Sequence, residues 1–376
     1  MVKMKYTPVL KWKAAEMGAL RDLTDVQKDN LIPVFEFVRP LEISNKDKNN
    51  GIKSPEDKLL SVMSKSVPND ILTNWGDGRL FFADFTLIFT EDLRKEFAQK
   101  ICKNSNELHL EFIPVINLSA DTLDYQKTIV DLAHSYASSR ICVRLSSVEI
   151  QGIDATNLLL KDFLSTNNLE LSSTSLFVDL KEETGDSAYG MAFKNIQSID
   201  KVTEYANVIL AGGAFPKDMS QYRQDAEDNH KERDDWKGWL SNMKKSLAIT
   251  PIFADYTIRY PVYDEVAMKY SSTATIKYTL LNMWKFYKGG KAKNEHYLVN
   301  ASLLREQQDY KQFGPDFSAG DKFINEKGLY FPEYSKKVQE NSGKKISGAG
   351  NTEQWLRAGI NHHIAVVVDQ LSNLND

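Results

Sequence analysis

Several familiar signatures are missing from this 376-residue chain. It has two cysteines, Cys102 and Cys142, in unrelated segments. They make neither a disulfide framework nor a metal-ligand spacing, and read as small core residues in a reducing compartment. No apolar run approaches the roughly 18–20 residues of a membrane span, and the opening MVKMKYTPVLKWKAA has no apolar signal-peptide core. The expectation is a cytoplasmic protein with no membrane partner. HExxH, GxSxG and Walker loops are absent, and no GxGxxG follows the first apolar run. Charge of one sign is lacking too: the net charge is −4 with signs mixed, so a general basic face for duplex nucleic acid is disfavoured.

What is present is an ordinary globular composition, 42% hydrophobic and 26% charged, enough for a sizeable core without staples. Eight strand-like runs recur: 6–12 (YTPVLKW), 31–38, 80–86, 111–119, 140–147, 175–181, 207–215 and 250–258 (TPIFADYTI). Most are continuously apolar, as parallel strands buried on both faces are. Helix-compatible segments stand between them, such as 14–30 and 121–138, the latter with Asp121 as its expected cap. Eight such units predict a (β/α)8 TIM-like barrel over 1–258, favoured over a doubly wound open sheet. Residues 259–350 read as an insertion containing strand-like 274–279 and 283–290, a helical patch and a Lys/Gly/Ser-rich connector. Residues 351–376 read as the helix that returns to close the barrel.

In such barrels the C-terminal strand ends line the functional face. Polar groups stand at or just beyond the ends of seven of the eight runs: Lys11 and Lys13 with Glu16, Glu36, Asp84, Asn117, Arg144, Asp179 with Lys181, and Asp255 with Tyr256. A polar group in a buried strand needs a partner or a cavity. Either these groups cross-link one another at the rim, or they line a ligand site together. In the second case Glu36, Asp84, Asp179 and Asp255 are acid/base or metal-holding carboxylates. Lys11, Lys13, Asn117, Arg144 and Tyr256 are then ligand contacts. Gly212 and Gly213 would bring backbone N–H groups to a phosphate, with Pro216 opening a helix behind them. Carboxylates on one face can hold Mg²⁺ together with ligand phosphates, although no fixed spacing marks a metal site.

The closing stretch GNTEQWLRAGINHHI predicts a capping box, Asn351 with Gln354, opening a short helix that Gly359 ends. Asn361 would cap a second helix beginning at His362 and His363. Adjacent helix positions diverge by about 100°, so a paired metal site is disfavoured. His363 is expected against the barrel wall and His362 beside Trp355, reaching the functional face as a catalytic candidate.

The opening YTPVLKWKAAEMGAL with LIPVFEFV, the late GPDFSAGDKFI and the closing GN-x3-W-x5-NHHI resemble the beta protein family, over essentially the whole chain. That family takes its name from a protein of T-even phages and occurs on prophages and mobile elements. The resemblance implies a bacteriophage or anti-phage defence setting and brings no catalytic residues. Two functions follow as expectations. One is a phage–host conflict protein whose barrel mouth takes a phosphorylated small molecule or nucleotide, with a hydrolase or phosphodiesterase reaction if it is an enzyme. The other is a non-catalytic sensor or scaffold, contacting protein or nucleic acid through the insertion by Trp284, Tyr287 and Lys288.

Overall fold

The computed structural model describes residues 5–375 apart from 89, 225–227, 246, 264–272, 292 and 341–345. The first residues of the opening and part of the Lys/Gly/Ser-rich connector therefore lie outside the described residues. Eight parallel strands close a barrel in the order β1 (Tyr6–Lys11), β2 (Val34–Glu36), β3 (Phe81–Asp84), β4 (Phe112–Asn117), β5 (Ile141–Ser146), β6 (Thr174–Asp179), β7 (Asn207–Gly212) and β9 (Ile252–Asp255). Each lies within one of the eight apolar runs but for the first residue of β6. β9 pairs with both β7 and β1, which closes the ring. Helices alternate with the strands around the outside, from Ala14–Arg21 to Thr352–Ser372, the last packing beside the first and against β1.

Alternation along the strands builds the barrel interior. Val9, Val34, Phe82, Val115, Cys142, Phe177, Ile209 and Ala254 fill its middle, all within 3% exposure. Two residues further along, the same faces carry Lys11, Glu36, Asp84, Asn117, Arg144, Asp179, Ala211 and Tyr256, a polar layer at the C-terminal mouth. The outward faces, such as Phe35, Phe81, Phe112 and Phe253, pack under the helices.

β10 (Thr273–Thr279) and β11 (Met283–Lys291) form an antiparallel sheet after β9, followed by helices Glu295–Glu306, Gln308–Lys311 and Ala319–Glu340. The third strand of this sheet, β8 (His230–Glu232), comes from the connection after β7 and pairs with β11. The region after β7 thus departs from expectation. No helix opens at Pro216, because the chain first crosses to the small sheet and becomes helical only at Asp234–Met243.

The last segment also departs from expectation. The capping box of Asn351 with Gln354 is present, but one helix runs unbroken from Thr352 to Ser372. Gly359 does not end it. A Cβ there would meet Ile258 Cδ1 at 2.7 Å and the Lys277 carbonyl oxygen at 3.0 Å, so the glycine lets the helix pass close to β10. Thr122, not Asp121, caps the helix Leu123–Tyr136; Asp121 instead accepts the Asn117 amide and pairs with Arg94.

Candidate active site at the barrel mouth

Arg144 points inward from β5 with its guanidinium in the centre of the mouth. Nε and Nη2 donate to Asp179 Oδ2 at 3.0 and 2.6 Å, and Nη1 and Nη2 both reach Glu36 Oε1 at 3.2 Å. Nη1 also donates to Asp84 Oδ2, and Nη2 to the Tyr256 hydroxyl at 2.9 Å. All five side chains are buried, with at most 4% of any residue exposed. Three carboxylates around one guanidinium is a low-dielectric arrangement that needs every partner. Burial pushes the Asp179 carboxyl up, but Lys181 and Arg144 outweigh it and hold it well below the usual carboxylate range. Glu36, Asp84 and Asp179 therefore meet, as the strand-end pattern predicts, but they meet on Arg144 and seal one another. The guanidinium stands where a cation held by these acids would sit. Among the described residues no group of three His, Cys, Asp or Glu is arranged to hold a metal.

Asp255 points the other way. Tyr256, just past β9, takes the inward position, so Asp255 faces outward into the seam under the last helix. Oδ1 accepts from the Tyr6 hydroxyl and the Thr257 amide, and Oδ2 lies 2.9 Å from His363 Nε2. The ring's other nitrogen, Nδ1, lies 3.0 Å from Thr279 Oγ1. His363 is thus against the barrel wall as expected. Its neighbour is not beside Trp355, which stacks on Tyr297. His362 is fully buried between Tyr278, Phe313 and Phe317, with Nδ1 2.8 Å from Asp321 Oδ2 and Nε2 2.8 Å from the Thr279 carbonyl. Asn361 adds a third tie, accepting the Gly320 amide and donating to the Ala19 carbonyl. The Asn-His-His run therefore bolts together barrel wall, small sheet and the Ser318–Asp321 turn, and neither histidine opens onto the mouth.

Gly212 ends β7 paired with β9, and the backbone after it is likewise used internally. The Gly213 amide donates to the Lys181 carbonyl at 2.7 Å, and the Ala214 amide to Asp235 Oδ2 at 3.1 Å. A Cβ on Gly213 would meet Tyr256 and Pro261 at 3.0 and 3.1 Å. Asn117 stands at the rim, with its amide nitrogen 2.9 Å from Thr86 Oγ1 and 3.3 Å from Asp121.

Above the sealed layer the charges change sign. Lys11 lies 3.8 Å from Glu36 and over the Tyr256 and Tyr263 rings at 5.9 and 5.6 Å. Lys13 lies over Tyr263 at 5.0 Å. Lys181 donates to the Tyr256 hydroxyl at 2.9 Å and lies 3.1 Å from Asp179. Arg259, from the loop after β9, is bound through Nε and Nη2 to the buried Glu16 at 3.1 and 2.9 Å. Lys277, on β10, rests over the Phe215 ring at 4.8 Å. Burial and the Arg259 charge both push the Lys13 and Lys277 ammonium groups down, Lys277 to about 7. Burial lowers Lys11 too, against the pull of Glu36, with Arg259 and Lys181 adding to the effect.

Arg259, Tyr263 and Lys277 are absent from the strand-end pattern, because they follow the last barrel strand. The one available signal is the alternation in TATIKYT. Ala274, Ile276 and Tyr278 form the buried core of the insertion, which leaves Lys277 on the face toward the barrel. The aromatic and basic residues expected as a partner surface turn inward. Trp284 is fully buried against Phe215 and His363, and Lys288 donates to the Met219 and Tyr222 carbonyls at 2.7 Å. Among the described residues no helix is long and apolar enough to cross a membrane.

Compared with known proteins, the chain matches the family model described as Beta protein over residues 6–369. No curated protein matches it.

Proposed function

The chain belongs to the Beta protein family, and from that premise we propose that it binds a phosphate-bearing small molecule or nucleotide in the barrel mouth. The observation that carries this reading is the surplus of cations above the Arg144 layer. Among the described residues, Lys13 and Lys277 have aromatic rings as neighbours and no carboxylate within ion-pair distance, and Arg259 and Lys181 repel the amines around them. Burial first, and neighbouring cations second, disfavour the charged forms of these amines, and such a cluster suits an anionic ligand. The half-buried ring of Tyr263, beside Lys11 and Lys13, gives a flat apolar surface suited to a nucleobase. Lys181 and Thr257, in the loops after β6 and β9, have left-handed backbones with φ of 52° and 56°. Each is held by the preceding strand-end aspartate, Asp179 or Asp255, through its own amide. Strained backbone of this kind gathers at ligand sites.

In this reading Glu36, Asp84, Asp179 and Arg144 form the rigid floor of the site and are not acid/base groups or Mg²⁺ ligands. A phage–host conflict role, in defence or phage-encoded, is the setting in which we place that binding, on the family resemblance. The test is titration of the purified chain with pyrophosphate and nucleoside di- and triphosphates, followed by calorimetry and thermal shift. Binding should fall at least tenfold in Lys13→Ala, with no change in the melting temperature of the free protein. Equal affinity in the variant, or no binding of any phosphorylated compound, removes the reading.

A further inference from the structure

The mouth holds one amine unlike the others. Lys11 has Glu36 within 4 Å and Lys181 has Asp179, so each has a carboxylate to stabilise its charge. Lys13 projects outward from the end of β1. Lys277 comes in from the side on β10, with its amine over the Phe215 ring and under the influence of the Arg259 charge. Glu16, the acid that acts on it, accepts both N–H bonds from Arg259 on one oxygen, Oε1, and forms no ion pair with the amine. Lys277 therefore sits beside a fixed guanidinium, over an aromatic face, with no carboxylate in ion-pair range among the described residues. Solvent reaches the side chain in part, so a ligand in the mouth can reach it too.

We propose that Lys277 is a nucleophilic amine that forms an imine with a carbonyl group of an anionic ligand bound in the mouth. Desolvation and a neighbouring cation are the two ways a lysine is kept in its reactive, uncharged form, and both act here, bringing it to about 7. In the step itself the Nζ lone pair attacks the carbonyl carbon and the carbonyl π electrons move to oxygen. The two amine hydrogens leave with that oxygen as water, and a C=N bond replaces the C=O bond. No oxidant or other co-reactant is required. The surrounding cations, Lys11, Lys13 and Arg259, hold the anionic part of the ligand, and this proposal rests on that reading of the mouth.

The test uses pyridoxal 5′-phosphate, which carries an aldehyde and a phosphate, with borohydride to reduce the imine to a stable secondary amine. The full chain is labelled at pH 7 with substoichiometric reagent, digested and mapped by mass spectrometry. The expected result is one dominant adduct, on Lys277. It should be suppressed by excess pyrophosphate, be absent in Lys277→Met, and have a labelling rate that levels off just above pH 7 and not near pH 10. Mapping on the unaltered chain needs no variant to fold. A pyrophosphate-sensitive adduct on Lys11, Lys13 or Lys181, with Lys277 unlabelled, overturns the nucleophile and leaves the anion site standing. Labelling spread over surface lysines and insensitive to pyrophosphate overturns both.

Discussion

His363 Nε2 lies 2.9 Å from Asp255 Oδ2, across the seam where the last helix meets the last barrel strand. The pair is fully buried, and Tyr6, Thr257 and Thr279 complete its hydrogen bonds. Truncating the ring leaves the Asp255 carboxylate without its main counter-group, an error that typically costs about 3–5 kcal/mol. His363→Ala should therefore lower stability by about that amount in urea denaturation. Acid should expose the same pair. Burial lowers the His363 proton affinity despite Asp255, and the His363 ring holds Asp255 low despite its own burial. Both groups bind protons more readily in the unfolded chain, so their stabilisation is present above about pH 6.5 and is lost as pH falls. The acid arm of the stability curve should be shallower in the variant; an unchanged arm would count against the pairing.

Arg144 is the second place where one substitution reaches many partners. Arg144→Met would leave Glu36, Asp84 and Asp179 buried with Lys11 and Lys181 at one edge, a loss of at least ~3–5 kcal/mol. Arg144→Lys should recover little, because a point charge cannot bridge three carboxylates as a planar guanidinium does. If the layer is a cross-link, Asp84→Asn should partly rescue Arg144→Met. A double-mutant cycle should then give a coupling of roughly 1–3 kcal/mol. Strictly additive losses would show that Arg144 does not hold Asp84 in solution.

Asp235 offers the opposite pH dependence. Its carboxyl accepts the Ala214 and Trp236 amides, and burial together with the nearby Asp255 charge pushes it up to about 7. The folded chain therefore holds this proton between about pH 4 and 7, where the unfolded chain has released it. Its stabilisation is complete below about pH 4 and declines as pH rises through 7. Asp235→Asn loses one acceptor at every pH but has no such decline. The stability gap between wild type and variant should narrow from pH 4 to pH 8 by up to about 4 kcal/mol, three units at 1.36 each. Parallel curves would place the Asp235 proton elsewhere.

The barrel was legible because buried parallel strands are written as apolar runs, and eight of them with helices between leave few topologies. Side-chain direction was harder to read. FADFT at 82–86 and FADYT at 253–257 read almost alike, yet Asp84 faces the barrel interior and Asp255 faces the helix layer. In β3 Phe82 takes the inward place, whereas in β9 Phe253 packs outward under Trp236 and Trp239, which shifts the parity by one residue. The period of two is visible in a sequence, but its phase is set by what packs outside. The cationic rim was partly legible in Lys11 and Lys13. Arg259 was not, because it lies beyond the last apolar run in the loop after β9, and Lys277 was not, because only the folding back of β10 against the last helix brings it to the mouth.

Gly320 tests that folding back directly. It lies in the first turn of the Ala319–Glu340 helix, where the Ser318 hydroxyl donates to the Asp321 carboxylate and accepts the Asp321 amide, and the Tyr278 hydroxyl and His362 complete the carboxylate's shell. Its amide donates to Asn361 Oδ1 at 2.9 Å, and a Cβ at this position would overlap the Ala358 carbonyl oxygen. That oxygen belongs to helix backbone and cannot swing aside as a flexible side chain would. Gly320→Ala must therefore push the Ala319–Glu340 helix off the last helix, stretching the Asn361 and His362 bonds together. Overpacking of this kind costs about 1–3 kcal/mol, and the two buried bonds add to it. The prediction has a second part, because the same shift would move β10 and with it Lys277. Gly320→Ala should lower the melting temperature and also reduce labelling of Lys277 by pyridoxal 5′-phosphate at temperatures where the chain is still folded. A drop in melting temperature with unchanged labelling would mean that β10 is positioned by the barrel seam alone.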